Sequence, residues 1–294
     1  MRVLIVGCGY VGLPLGAELA KQGHEVFGLR RSAGAELSAA GISPLTGDIT
    51  KPDSLAALPK DFDWIVNCVA SGGGSAEDYR KLYLNGTRNL IEWLSVSPPK
   101  KFVYTSSTSV YGQDDGSLVK ESSATEPMTD TGKFLLETEK LLLAAVVEKK
   151  FPAVILRVAG IYGPERGHWF KQLLRGEATL EGDGLRPLNM IHRDDVIGVV
   201  MAALKSGRAG EIYNAVDDEP VAQLHFFRWL CESLDKPMPP SAPADAAAAR
   251  KRGSTNKKIS NRKLKMELGY QFKYPNFRQG YTAEMQRLMD AGQL

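Results

Sequence analysis

The segment that most limits how this chain folds is Gly7-Cys8-Gly9-Tyr10-Val11-Gly12, set between the apolar run Val3 to Val6 and a helical stretch from Leu13 to Gln22. In that setting a G-x-G-x-x-G turn closes a strand and opens a helix. Gly7 permits the tight turn, Gly9 lets a pyrophosphate approach the backbone, and Gly12 lets helix and strand pack closely. The helix N-terminus then offers N–H groups and the positive end of its dipole to an anion. The turn therefore predicts a dinucleotide site formed by Gly7, Gly9, Tyr10, Val11 and Gly12.

Further apolar runs occur at Glu25 to Leu29, Trp64 to Val69, Lys101 to Thr105, Ala153 to Arg157 and Glu211 to Asn214. Runs rich in Val, Ile and Leu with little alternation suit strands buried on both faces, so the expected fold is α/β, a doubly wound parallel sheet. A helix is expected over Lys133 to Lys150, with Leu135, Leu136, Leu142, Leu143 and Val146 in an apolar stripe and Glu137, Glu139 and Lys140 facing elsewhere. From about Pro164 the pattern loosens, and Lys236 to Pro243 is rich in proline, which predicts a smaller, more irregular lobe. The expected division is residues 1–165 plus 191–216 for the dinucleotide domain and 166–190 plus 217–294 for an interleaved substrate lobe.

The second run ends at Arg30-Arg31, where an NAD site places an acidic residue for the ribose 2′-hydroxyl. Two guanidinium groups there match a 2′-phosphate instead, which favours NADP(H) over NAD(H). Asp48-Ile49, after the third strand, is expected near the adenine; Asp48 equally suits a turn cap.

Composition closes off other classes. The chain has 294 residues, 43% hydrophobic and 24% charged, with a net charge of +3, as expected of an ordinary soluble globular protein. Cys8, Cys68 and Cys231 are too few and too scattered for a disulfide framework or metal cluster, and a reducing cytoplasmic setting follows. No apolar run reaches the roughly 18 residues of a membrane span. Between Asp245 and Glu267 the cations Arg250, Lys251, Arg252, Lys257, Lys258, Arg262, Lys263 and Lys265 accumulate without an acidic residue. No stacking motif accompanies them, so a solvated loop or a substrate phosphate is the expected partner, not nucleic acid.

Several segments resemble one family. Val103-Tyr104-Thr105-Ser106-Ser107-Thr108-Ser109-Val110-Tyr111-Gly112 is similar to the serine segment of the extended short-chain dehydrogenase/reductases, the epimerase/dehydratase family of UDP-galactose 4-epimerase and the nucleotide-sugar dehydratases. Asn85-Gly86-Thr87-Arg88-Asn89-Leu90 resembles its N-x-x-G/T-x-N-L helix, and Leu156-Arg157 with Ile161-Tyr162-Gly163-Pro164 its R-x-x-x-x-Y-G-P segment. Ile191-His192-Arg193-Asp194-Asp195-Val196, Ile212-Tyr213-Asn214 and Leu268-Gly269-Tyr270 resemble later segments in the same order.

The resemblance implies about seven parallel strands and often a homodimer joined through two long helices per subunit. It implies Val69, Ala70, Asn85 and Lys133 at the cofactor, and Ser107, with Thr108, at the substrate oxygen. In the segment Gly182-Asp183-Gly184-Leu185-Arg186 it implies Arg186 at a substrate phosphate, and His192 falls on the substrate side as well. Two departures stand out. The glycine turn is one residue shorter than the family's G-x-x-G-x-x-G, and Thr129 occupies the tyrosine position of Y-x-x-x-K while Lys133 keeps the lysine.

A phenol of pKa about 10 shuttles a proton once neighbouring cations lower it, whereas an aliphatic hydroxyl is a far weaker acid. If acid/base work survives, Tyr111, Tyr162, His168 and His192 are the nearest replacements. The expected activity is that of an NADP(H)-dependent oxidoreductase or epimerase/dehydratase-like enzyme on a small carbonyl or hydroxyl compound, nucleotide-sugars included. The alternative is an NADP(H)-binding regulatory or scaffold protein. The opening Gly9-Tyr10-Val11-Gly12-Leu13-Pro14-Leu15 also resembles UDP-sugar 6-dehydrogenases, but Cys231, in an apolar helical context, is a poor match for their nucleophile.

Overall fold

The computed structural model describes residues 1–32, 34–242 and 255–294. Its strands are β1 (Arg2–Val6), β2 (Glu25–Arg30), β3 (Ser43–Thr46), β4 (Trp64–Asn67), β5 (Lys101–Ser107), β6 (Leu118–Val119), β7 (Ala153–Val158), β8 (Gly160–Tyr162), β9 (Pro187–Leu188), β10 (Met190–His192), β11 (Ile212–Ala215), β12 (Val221–Ala222) and β13 (Lys258–Ile259). Seven form one sheet in the order β11-β7-β5-β4-β1-β2-β3, every pairing parallel. All six apolar runs are strands of this sheet. The seventh, β3, is an edge strand whose Ser43, Pro44 and Thr46 are exposed, so it lacks the apolar signature of a strand covered on both faces.

Strand order reverses between β1 and β4. The chain runs outward through β2 and β3, then crosses back to β4 and continues the other way. Loops leaving the carboxyl ends of β1 and β4 therefore diverge and open a crevice, the place where doubly wound sheets take ligands. Val3, Leu4, Ile5, Ile65, Val66, Phe102, Val103 and Ile155 lie fully buried in the core beneath it. A second apolar cluster, built from Tyr162, Phe170, Phe226, Phe227, Phe277 and Tyr281, packs beyond the sheet. Ile259, Leu264 and Leu268 join the sheet's own core.

The long helix is Asp130–Lys149, starting three residues earlier than the apolar pattern implies because Thr129 caps it: its Oγ1 accepts the Gly132 N–H at 3.1 Å. Its buried face is Leu135, Thr138, Glu139, Leu142 and Ala145, so Glu139 does not face away as expected. The Glu139 carboxylate accepts Arg157 Nη2 at 2.7 Å, Arg157 Nε at 3.1 Å and Ser106 Oγ at 2.6 Å. Arg157 projects from β7, fully enclosed in the sheet, and a buried carboxylate is tolerated where such a guanidinium meets it. Among the described residues no helix is long and apolar enough to cross a membrane, and no cluster could hold a metal ion.

Candidate active site

A cleft of about 1500 Å³ runs along the carboxyl edge of the sheet. Its floor is the glycine turn. Gly7 takes φ +93°, and a Cβ there would lie 2.8 Å from the Val69 backbone, so the β1 and β4 loops touch only because the residue is glycine. At Gly12 a Cβ would come within 2.3 Å of the Gly7 carbonyl oxygen and 3.0 Å of Cys68 Sγ. Gly12 lies behind the cleft, closing helix onto strand, and does not line it. At Gly9 a Cβ would meet nothing within 4 Å, so the space over that residue is a cradle open to the cleft.

The helix that follows, Gly12–Lys21, has no side-chain cap and no acidic residue in its first turn. Its positive end is left to whatever sits over Gly9. These features fit the diphosphate of a dinucleotide. Tyr10, also on the turn, lies under two guanidinium groups, with Arg166 at 5.1 Å and Arg193 at 5.3 Å from its ring centre. Burial pushes its phenol up to about 12, and its hydroxyl has no hydrogen-bond partner among the described residues.

Beyond the turn, Arg30, Arg31, Asp48 and Ile49 border one end of the cleft, and Val69 and Ala70 flank it from the β4 loop. Arg30 Nη1 is ion-paired with Glu36, both partly exposed. Asp48 is a turn cap as well as a wall: its Oδ1 accepts the Thr50 N–H at 2.9 Å and the Thr50 hydroxyl at 2.8 Å. At the opposite end, Ser107 and Thr108 leave β5 toward the opening, joined by Arg186. Ser107 Oγ accepts the Ser109 N–H at 3.2 Å, and its own hydrogen remains available to a ligand. Thus Gly7, Gly9, Tyr10 and Val11 meet the other residues just named in one cleft.

Five expected site residues are placed otherwise. Tyr111 is fully buried, its hydroxyl donating to Asn214 Oδ1 at 2.9 Å and accepting from Arg157 Nη1 at 2.7 Å; it belongs to the Glu139–Arg157 network inside the core. His192 is buried as the cap of the Arg193–Ser206 helix, its Nδ1 accepting the Asp194 N–H at 3.2 Å with Nε2 3.4 Å from Glu284. Lys133 lies on the outward face of its helix, paired with Asp130 at 2.8 Å, and borders a separate small hollow beside Glu77 and Glu137. Asn85 accepts from Arg88 Nη1 at 3.3 Å and does not line the cleft, while Asn89 in the same helix donates to the Ile49 carbonyl at 2.7 Å. Gly12, the fifth, lies behind the turn, where it packs helix onto strand as expected but does not line the cleft.

Thr129 Oγ1 borders the cleft but is engaged with the Gly132 N–H and, at 3.1 Å, with Thr131 Oγ1. Tyr162 also borders it, stacked on Tyr281 with ring centres 4.5 Å apart, and burial raises its phenol far above the ordinary value. His168 is exposed at the cleft, edge-on to Trp169. Cys68 closes the base, donating to the Gly7 carbonyl at 3.2 Å, and neighbouring Cys8 is pushed up to about 12 by burial.

Of the basic stretch, Asp245, Arg250, Lys251 and Arg252 lie outside the described residues. Lys257 alone of the described lysines is buried, and it lines the cleft. Sequence reasoning missed this, because a lysine among seven other cations carries no mark of the one that turns inward. Lys263 pairs with Glu211 at 2.6 Å and Lys265 with Asp218 at 2.9 Å.

The model of the NAD dependent epimerase/dehydratase family matches residues 3–215. The chain belongs to that family. It is thereby an enzyme of the oxidoreductase type and kin to proteins that use a nicotinamide dinucleotide. Protein YeeZ of Escherichia coli K12 is 27% identical over 288 residues, covering 94% of this chain and 97% of YeeZ. A functionally unknown conserved protein from Silicibacter pomeroyi superposes with a TM-score of 0.78 at 29% identity, covering 97% of this chain and 98% of that one. UDP-glucuronic acid 4-epimerase from Bacillus cereus, in complex with UDP-glucuronic acid and NAD, shares the fold with a TM-score of 0.83 at 24% identity, over 99% of this chain and 100% of its own.

Proposed function

We propose that this protein is an NADP(H)-dependent oxidoreductase or epimerase/dehydratase-like enzyme that acts in the cytoplasm, as a homodimer, on a small carbonyl or hydroxyl compound such as a nucleotide-sugar. The observation that carries this reading is one continuous cleft with an open cradle over Gly9 and two arginines, Arg30 and Arg31, at the end of β2. Residues 1–165 with 191–216 would hold the cofactor, and 166–190 with 217–294 the substrate.

A 2′-phosphate would draw Arg30 away from Glu36. That exchange is cheap, because an exposed ion pair contributes only about 0–1 kcal/mol. A charge-assisted arginine–phosphate contact there would be stronger. When bound, the nicotinamide exchanges hydride with the substrate. Ser107 holds the substrate oxygen through its free hydroxyl hydrogen. Of the four side chains weighed as proton carriers, only Tyr162 and His168 reach the cleft, and the burial that raises the Tyr162 phenol keeps its proton in place. His168, open to solvent and substrate, is the assignment that remains.

A second reading, cofactor binding without turnover, draws on Thr129 and Lys133, both committed to contacts of their own helix. Titration of the purified protein with NADPH and NADH tests the cofactor assignment, and Arg30→Asp should reverse the preference. Tighter binding of NADH by the unmodified protein would overturn it. Hydride exchange with a panel of sugars and carbonyl compounds, repeated in Ser107→Ala and His168→Ala, separates the two readings: turnover lost in either variant supports the first, and silence across the panel with intact NADPH affinity supports the second.

A further inference from the structure

A buried phenol ordinarily finds a hydrogen-bond partner, because a hydroxyl taken out of water without one forfeits its hydration. Tyr111 obeys this rule through Asn214 and Arg157, and Tyr270 through Asp195. Tyr281 does not. It projects from the C-terminal helix, Phe277–Asp290, and is 2% exposed, yet its hydroxyl makes no hydrogen bond among the described residues. It also borders the cleft.

Packing fixes where that hydroxyl stands. The ring is stacked on Tyr162 with centres 4.5 Å apart, and it meets Phe170 at 5.1 Å and Phe226 at 5.4 Å. Gly167 lies over its outer end: a Cβ there would come within 3.0 Å of Tyr281 Oη, and the φ of +141° at this position favours glycine. Both residues line the cleft, so the missing side chain leaves the oxygen uncovered on that side. The preceding residue, Arg166, reaches over the Tyr10 ring at 5.1 Å, and Tyr10 is among the titratable groups that face Tyr281. The hydroxyl therefore stands on the glycine-turn side of the cleft. Burial raises this phenol, so it keeps its proton and offers it as a donor.

We propose that Tyr281 donates a hydrogen bond to the dinucleotide held over the glycine turn, which makes the C-terminal helix part of the cofactor site. The proposal rests on the reading of the cleft as a cofactor site. The middle of a dinucleotide, its diphosphate and adjoining ribose, is rich in oxygen and supplies the acceptor that the protein does not.

The test is calorimetric titration of the full chain with NADPH and, separately, with adenosine 2′,5′-bisphosphate, which keeps the adenosine end of the cofactor and lacks its diphosphate and nicotinamide half. Tyr281→Phe removes one oxygen and keeps the stacked ring, so the unliganded variant should melt at or above the wild-type temperature. Its NADPH affinity should fall by about 3- to 15-fold, the loss of one hydrogen bond, with bisphosphate affinity unchanged. Unchanged NADPH affinity overturns the proposal. An equal loss for both nucleotides overturns it too, since the variant would then disturb the cleft as a whole, and so does a lower melting temperature, which would reveal a protein partner for the hydroxyl. If wild type prefers NADH, the assignment of Arg30 and Arg31 fails alone, and the same comparison with NADH and AMP decides the role of Tyr281. Wild type that binds neither dinucleotide brings down the cofactor reading and this proposal with it.

Discussion

Gly9 and Gly12 stand three residues apart in one motif, yet alanine at each should fail for a different reason. At Gly12 the new methyl would lie 2.3 Å from the Gly7 carbonyl oxygen, where ordinary contacts are 3.4–4 Å. Helix and β1 must separate by about an ångström, and overpacking of that kind costs about 1–3 kcal/mol. For a chain of this size, Tm should fall by several degrees. At Gly9 the methyl meets no protein atom within 4 Å, so Tm should stay within about a degree. The same methyl stands where the diphosphate must rest on the backbone, and NADPH affinity should drop by about tenfold or more, equivalent to ~1.4 kcal/mol. Thermal melts and fluorescence titration with NADPH on the two variants decide the matter. A destabilised Gly9→Ala, or a Gly9→Ala that binds NADPH normally, would refute the assignment of the cradle.

Other consequences follow from the buried groups. Arg157→Met should strand Glu139 without its cation and cost about 3–5 kcal/mol, read as a lower urea midpoint at unchanged slope. Asp195 accepts Tyr270 Oη at 2.8 Å and the N–H groups of Lys273 and Tyr274 at 2.6 and 3.0 Å, so Asp195→Ala should cost at least ~3 kcal/mol by leaving three donors without acceptors, measurable in the same assay. Lys257 carries its own pH signature. Its folded-state value near 8 lies below the ordinary 10.5, so between those limits the unfolded chain holds a proton that the folded chain lacks. Its contribution to stability therefore rises with pH across that window. Urea unfolding at pH 8 and pH 10 should show a gain in wild type relative to Lys257→Met, and an equal trend in both would contradict the burial of this ammonium.

What the sequence determined by itself was the framework. The glycine turn and the six apolar strands are local matters: a left-handed backbone at Gly7 needs glycine, and a strand covered on both faces needs an unbroken apolar run, so each is written in a few adjacent residues. The edge strand β3 carries no such run, because one exposed side asks for none, and it is legible only from its place ahead of Asp48-Ile49. Thr129 was legible as a residue but not as a cap, and the outward placement of Lys133, paired with Asp130, is not recorded in the Y-x-x-x-K spacing.

Tertiary structure alone decided which polar side chains face the ligand and which face the core. Glu139 turns inward because Arg157 waits on a strand packed beneath its helix, and Tyr111 follows both into the same network. His192 is spent on a helix end, whereas Lys257 is singled out of a run of cations because the carbonyl that holds it comes from Tyr111. A charge turns inward or outward according to the partner it meets, and that partner is distant in sequence, so no periodicity along the chain records it.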